Sequence, residues 1–145
     1  AGAIKAIVET GIPVVGHVGL TPQSVNAFGG YKLQGKGSKE AKRIMEDALA
    51  VEEAGAFAVV LECVPAKLSA EISKKLKIPT IGIGAGIDCD GQVLVVNDRL
   101  GLGGHDNMPK FVREYADLET TILTAVERFS RDVIQGKFPS KEESY

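Results

Sequence analysis

The stretch "AFAVVLECVPAKLSAEISKKLKIPTIGIGAG", residues 56–86, contains a strand, a helix and a second strand in its apolar pattern. Residues 56–64 are almost continuously apolar, which is typical of a strand buried on both faces. Pro65 favours the start of a helix, and Pro79 closes it. The apolar run at residues 78–86 predicts the next strand. A strand, a helix and a strand in this order indicate a parallel β/α/β unit.

The same alternation continues on both sides of this unit. Before it, an amphipathic helix leads into an apolar strand at residues 12–20, and Ser38 can cap a helix that ends near Gly55. After it, residues 91–102 predict a fourth strand, and the chain from Pro109 onward predicts two more helices. The order predicts an α/β fold with a parallel sheet, either doubly wound or part of a (β/α)8 barrel. A complete barrel has eight strands and about 250 residues, so four strands in 145 residues would form half of one.

Composition limits the classes of function. With 145 residues, of which 44% are hydrophobic, the chain can bury one sizeable core. Its net charge of −2, with scattered Lys and Arg, argues against nucleic acid as a partner. The apolar runs are too short to span a bilayer and no secretory signal pattern is present, so we expect a cytoplasmic protein without membrane association. Cys63 and Cys89 form no metal-binding or disulfide motif and are expected to be free thiols.

Glu62 is the most informative candidate site residue. It lies near the carboxyl end of its predicted strand, where the ligand-binding loops of parallel α/β folds converge. A carboxylate inside an apolar strand must be hydrogen-bonded, paired or protonated, and such acids are frequent in active sites. Glu62 is therefore either a general base or a strand-end residue that caps a neighbouring loop or pairs with a lysine.

His17 is a second candidate, near the end of the strand at residues 12–20. It has three interpretations: a proton donor, a hydrogen-bond donor to a substrate oxygen, or a core histidine bonded to backbone. The sequence shows no partner for it. The pattern alone leaves these possibilities open.

The remaining candidates are weaker. The glycines of "GIGAG", residues 82–86, either let the backbone approach a ligand or make a tight turn. Asp88 and Asp90 are interpreted as turn residues. Asn97 and Asp98 are a further candidate group on the fourth strand, and the role of Asp98 is left open. The following charged residues on predicted helices are interpreted as solvated surface: Glu46, Glu52, Lys74 and Lys75.

Four longer stretches go beyond general patterns: "GIPVVGHVGLTPQSVNAFGGYKLQGK" (11–36), "VLECVPAKLSAEI" (60–72), "IPTIGIGAGIDCDGQVLVVNDRLGL" (78–102) and "PKFVREYADL" (109–118). Together they closely resemble the ketopantoate hydroxymethyltransferase family, which adds a one-carbon unit to α-ketoisovalerate in pantothenate biosynthesis. The "GH-x-GLTPQS" and "LECVP" motifs are specific to that family. The resemblance implies a (β/α)8 barrel, with residues 1–145 as the C-terminal part of one barrel domain and its strands as barrel strands five to eight.

The resemblance also implies the chemistry. Glu62 matches the family's proposed proton acceptor, and His17 matches a histidine that lines the substrate pocket. The implied reaction transfers a hydroxymethyl group from 5,10-methylenetetrahydrofolate to 3-methyl-2-oxobutanoate (α-ketoisovalerate), giving 2-dehydropantoate, with Mg²⁺ chelated by the keto acid.

The family's Mg²⁺ ligands, and the Ser and Lys that anchor the keto acid, lie on the first four barrel strands, which this sequence does not contain. We therefore expect the metal ligands in an N-terminal half of the same barrel and activity only in its presence, within a homo-oligomer. Two alternatives remain open: a non-catalytic half-barrel that assembles with a partner chain, and a small-molecule or phosphate binder that uses residues 82–86 and the end of the fourth strand.

Overall fold

The computed structural model describes residues 1–24, 32–103 and 108–145, which form two compact units, Ala1–Val93 and Leu94–Tyr145. The first unit contains α1 (Gly2–Glu9), β1 (Val15–Gly19), a 3₁₀ turn (Pro22–Ser24), α2 (Ser38–Glu53), β2 (Ala58–Glu62), α3 (Ala66–Lys75), β3 (Thr80–Ile83) and β4 (Gly91–Gln92). The second unit contains α4 (Val96–Leu100) and α5 (Leu118–Ile134). Ser38 is the first residue of α2 rather than its cap, which is Gly37.

The four strands form one parallel sheet in the order β1-β2-β3-β4. The order never reverses, so right-handed crossovers place successive helices on the same side of the sheet. A doubly wound sheet would reverse its order and carry helices on both sides. The fold-class prediction is therefore confirmed: the chain forms consecutive β/α units of a (β/α)8 barrel.

The core lies between one face of the sheet and the helices α2 and α3. Val59 and Leu61 of β2 are fully buried there, in one cluster with Val51 of α2 and with Leu68 and Ile72 of α3. The opposite face is only partly covered, and the following side chains on it are partly or fully exposed: Val15, His17, Val60, Glu62 and Ile81. The expectation that both faces of the sheet are buried is wrong within this chain. In a closed barrel that second face is the interior.

The predicted fourth strand is too long. Pairing with β3 extends only through Gly91 and Gln92, and residues 96–100 form a helix that ends at Gly101 in a left-handed conformation. β3 itself ends at Ile83, so a strand reaching residue 102 would have no β3 partner along most of its length. Asn97 and Asp98 therefore lie on α4 and not on a strand.

The prediction of two helices after Pro109 is also wrong. Among the described residues there, only α5 is helical, and Asp117 begins it by accepting a hydrogen bond from the Thr120 N–H at 3.0 Å. This cap fixes the start of the helix at Leu118, well after Pro109. The predictions for the other elements are confirmed: α1, α2, α3 and β1 to β3 all fall within their predicted segments.

Two carboxylates hold the amino-terminal ends of the strands. Glu52, at the end of α2, accepts hydrogen bonds from the Lys77 and Ile78 N–H groups in the loop before β3. Asp90 accepts from both the N–H and the hydroxyl of Thr80, each at 2.8 Å. Glu52 is therefore not a solvated surface charge, and Asp90 does more than occupy a turn, because it joins the start of β4 to the start of β3.

The Asp90 contacts predict a pH dependence of stability. Hydrogen bonds from the Thr80 N–H and hydroxyl lower the pKa of Asp90 below its ordinary value of 3.8. A lowered folded-state pKa contributes stability above the unfolded-state pKa, and that contribution disappears as the pH falls through the folded-state value. We expect Asp90→Asn to unfold at lower urea concentration than the native protein at pH 6, with the difference shrinking below about pH 4.

The matched control is Asp88→Asn, two residues earlier in an exposed turn. Urea unfolding of the three proteins between about pH 6 and about pH 2.5 makes the comparison. If Asp90→Asn and Asp88→Asn show the same pH profile, the Thr80 contacts do not carry the effect.

Candidate active site

Glu62, the last residue of β2, and His17, in the middle of β1, meet on one face of the sheet. In the parallel register of β1 and β2, His17 pairs with Val60, and Gly19 pairs with Glu62. Because side chains alternate between faces, Val60 and Glu62 lie on the same face as His17. This is the partly covered face of the sheet, so both side chains point toward the interior of a closed barrel.

The two side chains are in contact. His17 Nε2 lies 3.1 Å from Glu62 Oε2, and the side chains are 31% and 15% exposed. Glu62 is thus the partly buried acid that the sequence predicted, and it is the partner of His17 that the sequence did not show. Nε2 is nevertheless buried without a properly aligned hydrogen bond to any described residue. It therefore has hydrogen-bonding capacity to spare for a bound molecule.

The backbone around Glu62 is tightly held. The Leu20 N–H donates to the Glu62 carbonyl oxygen at 2.8 Å, immediately after β1 ends. Gly19 lies beside this bond with φ +91°, and a β-carbon there would overlap the same oxygen. Only glycine fits this position, both for its φ and for its clearance.

A cleft of about 540 Å³ opens beside His17. Its walls come from β1, from the chain segments that follow β1 and precede α2, and from one side of α1 and α2; among the lining residues are His17, Gly19, Thr21, Gln34 and Arg43. Residues of α2 form the largest part of its wall, and Glu62 is not among its lining residues. Its position is at the open edge of β1.

Comparison with known proteins decides the family. The model of ketopantoate hydroxymethyltransferase matches residues 1–141. The chain belongs to this family. Its 3-methyl-2-oxobutanoate hydroxymethyltransferase relatives include those of Syntrophus aciditrophicus (58% identical over the whole chain and 53% of the relative), Clostridium botulinum (56%, over 98% of the chain and 51% of the relative) and Chlorobaculum tepidum (55%, over the whole chain and 52% of the relative). The chain thus spans about half the length of the curated relatives it matches.

The other candidates have structural explanations or lie elsewhere. Gly86 of the "GIGAG" stretch packs against α3, where an added β-carbon would lie 2.5 Å from Ala66 Cβ. Gly82 lies against Cys89 and Gln92 in the same way. These glycines permit close packing of a tight turn, and no described group marks them as a phosphate site. Asn97 and Asp98 belong to the second unit, whereas the first unit carries His17 and Glu62.

The two cysteines are free, as predicted. Burial raises the pKa of both thiols, and the nearby Glu62 carboxylate adds to the shift at Cys63. Neither thiol is therefore poised as a thiolate nucleophile at neutral pH.

The part of the chain that the structure describes offers no group of three or more His, Cys, Asp or Glu side chains arranged to hold a metal ion. His17 and Glu62 by themselves do not match the oxygen-rich ligand set that Mg²⁺ requires. As for membranes, none of the described helices combines the length and apolar character needed to cross one.

Proposed function

We propose that this chain supplies the proton-abstracting half of a 3-methyl-2-oxobutanoate hydroxymethyltransferase. The observation that carries the proposal is the contact between His17 of β1 and Glu62 at the carboxyl end of β2, in a chain that belongs to this family. In barrels, catalytic residues come from this end of the strands. The substrates would be 3-methyl-2-oxobutanoate and 5,10-methylenetetrahydrofolate, and the product 2-dehydropantoate.

Glu62 has the position of a general base. Its carboxylate would remove the proton at C3 of the keto acid, which is acidified by the adjacent keto group. The resulting enolate carbon forms a bond to the methylene carbon of the folate. Over the whole transfer, both C–N bonds of the methylene bridge break and one water supplies the hydroxyl group. The proton from C3 and the second proton of that water pass to the two folate nitrogens, and tetrahydrofolate leaves. The partly buried surroundings of Glu62 keep bulk water from competing for the proton.

His17 would bind the substrate. Its Nε2 lies against the Glu62 carboxylate yet has no aligned hydrogen bond to a described residue, so a substrate oxygen at this face of the sheet can become its partner. Such a bond would place the keto acid beside the base. This arrangement converts proton removal into a reaction between neighbouring groups, which is the main benefit of positioning.

The remaining requirements are proposed from the family resemblance. Mg²⁺ would be bound by residues of the N-terminal half of the barrel, and none of the steps above depends on it. The chain would form a single barrel domain together with an N-terminal half. The complete protein would be cytoplasmic and would form a homo-oligomer.

A chimera tests the function. This chain replaces the matched half of the Syntrophus aciditrophicus relative, which restores the full length. We expect the chimera to form 2-dehydropantoate with Mg²⁺ present, at a kcat/KM within about tenfold of the unmodified relative, a difference of about 1.4 kcal/mol in transition-state stabilisation. The unmatched half of the relative, expressed alone, is the negative control.

A non-catalytic half-barrel is the second candidate. The partly covered sheet face and the open edge of β1 favour it, because both require a covering partner whatever the chemistry. The same chimera separates the two functions. A chimera that folds and binds the keto acid without turning it over would support the non-catalytic role and reject the transferase.

A further inference from the structure

The contact between His17 and Glu62 determines where a hydrogen lies in the candidate site. His17 Nε2 lies 3.1 Å from Glu62 Oε2. An ionised carboxylate oxygen is only a hydrogen-bond acceptor, and an imidazole nitrogen without a hydrogen is an acceptor too. Two acceptors at this distance repel each other, because both carry negative charge. One of the two atoms therefore carries a hydrogen.

Among the described residues, the strand neighbours of this pair offer the hydrogen no other acceptor. Val60 lies opposite His17 in the strand register, and Gly19 and Ile83 lie on either side of Glu62. None of these three residues has a polar side chain. An imidazole also binds a proton more tightly than a carboxylate does in model peptides. The hydrogen is therefore assigned to His17 Nε2.

The same nitrogen is shielded from solvent. The His17 side chain is 31% exposed, but its Nε2 atom is buried and has no aligned hydrogen bond to a described residue. The described group that lies against it is the Glu62 carboxylate. A substrate oxygen thus reaches Nε2 as this carboxylate turns aside. Because a misaligned contact is weaker than a straight hydrogen bond, the carboxylate can be displaced.

We propose that His17 carries a hydrogen on Nε2 and holds the Glu62 carboxylate until an oxygen of the keto acid replaces it. The released carboxylate is then free to act at C3. A carboxylate that loses a hydrogen-bond donor also binds a proton more readily. Substrate binding and activation of the base thereby become one event. This inference rests on the proposed role of Glu62 as the base and adds how that base is controlled.

Glutamine and asparagine at position 17 test the donor. The glutamine amide nitrogen extends about as far as Nε2 and donates hydrogen bonds without accepting a proton, whereas the shorter asparagine amide extends only about as far as Nδ1. In the chimera, we expect His17→Gln to keep kcat/KM for C3 proton exchange within about tenfold and His17→Asn to lose at least about tenfold more. Rates are normalised to folded protein. Equal rates in the two variants would overturn the assignment of Nε2 as the donor.

Nitrogen-15 NMR of the chimera with labelled histidine locates the hydrogen without depending on the reaction. The His17 signals are those that His17→Gln removes. At about pH 9, where imidazoles in model peptides are neutral, we expect a hydrogen on Nε2 and none on Nδ1. The opposite result would overturn the proposal.

The same signals test the displacement of Glu62. With Mg²⁺ present and no folate, saturating 3-methyl-2-oxobutanoate should shift the Nε2–H resonances while the hydrogen stays on Nε2. Unchanged resonances at saturation would reject the displacement. If Glu62→Gln leaves C3 proton exchange intact, the base assignment fails, and the NMR spectrum still decides which nitrogen of His17 carries the hydrogen.

Discussion

Replacing Glu62 with glutamine in the chimera is expected to lower exchange of the C3 proton of 3-methyl-2-oxobutanoate with D₂O by roughly 10²–10⁴-fold, the usual loss when a general base is removed. Glutamine keeps the size and hydrogen-bonding reach of the side chain but has no basic site. Binding of the keto acid should therefore change little. NMR follows the exchange without folate, which isolates proton removal from carbon transfer.

Glu71→Gln is the matched control, because Glu71 is exposed on α3 within the same unit. It should leave both exchange and binding unchanged. If Glu62 were only a structural partner of His17, glutamine would cost about 1–3 kcal/mol in unfolding free energy, and the exchange rate per folded molecule would stay near that of the native chimera. That result would remove Glu62 from the mechanism.

Substituting Gly19 with alanine is expected to destabilise the first unit strongly. Its φ of +91° strains any residue with a β-carbon, and that atom would overlap the Glu62 carbonyl oxygen. The left-handed backbone alone costs about 1–2 kcal/mol, and the overlap with a backbone atom adds about 1–3 kcal/mol. Displacement of the carbonyl would also move the Glu62 side chain, so activity should fall with stability.

Gly11→Ala isolates the effect of the overlap. Gly11 has a similar φ of +86°, but a β-carbon added there would meet no atom within 4 Å. Urea unfolding of the two alanine variants should show a larger loss for Gly19 than for Gly11. Equal losses would mean that backbone strain alone matters and that the Glu62 carbonyl has room to move.

The strands and helices with a strong apolar pattern could be predicted, because local pattern and burial agree there. β1, β2 and β3 follow runs of apolar residues, and the apolar stripe of α2 packs on the sheet. The error at residues 91–102 has a different origin. A valine-rich run favours a strand, but strand pairing also requires a partner, and the short β3 supplies one only as far as Gln92. The length of the neighbouring strand cannot be read from the local sequence.

The candidate site, too, could be predicted from the sequence only in part. The position of Glu62 in an apolar strand marked it as a candidate. Its contact with His17 depends on the register between β1 and β2, which are far apart in the chain, and a single sequence does not display that register. Cys63 directly follows Glu62 with a φ of +49°, and this left-handed conformation is equally hidden, because nothing about a cysteine suggests a positive φ.

The hydrogen bonds that Asp90 accepts from Thr80, and that Glu52 accepts from the loop amides, lie at the amino-terminal ends of the strands, whereas Glu62 and His17 lie toward the opposite ends. The contacts at the first end can therefore be altered without touching the residues that carry the proposed reaction. A protein engineer can strengthen that end of the sheet while Glu62 and His17 stay as they are.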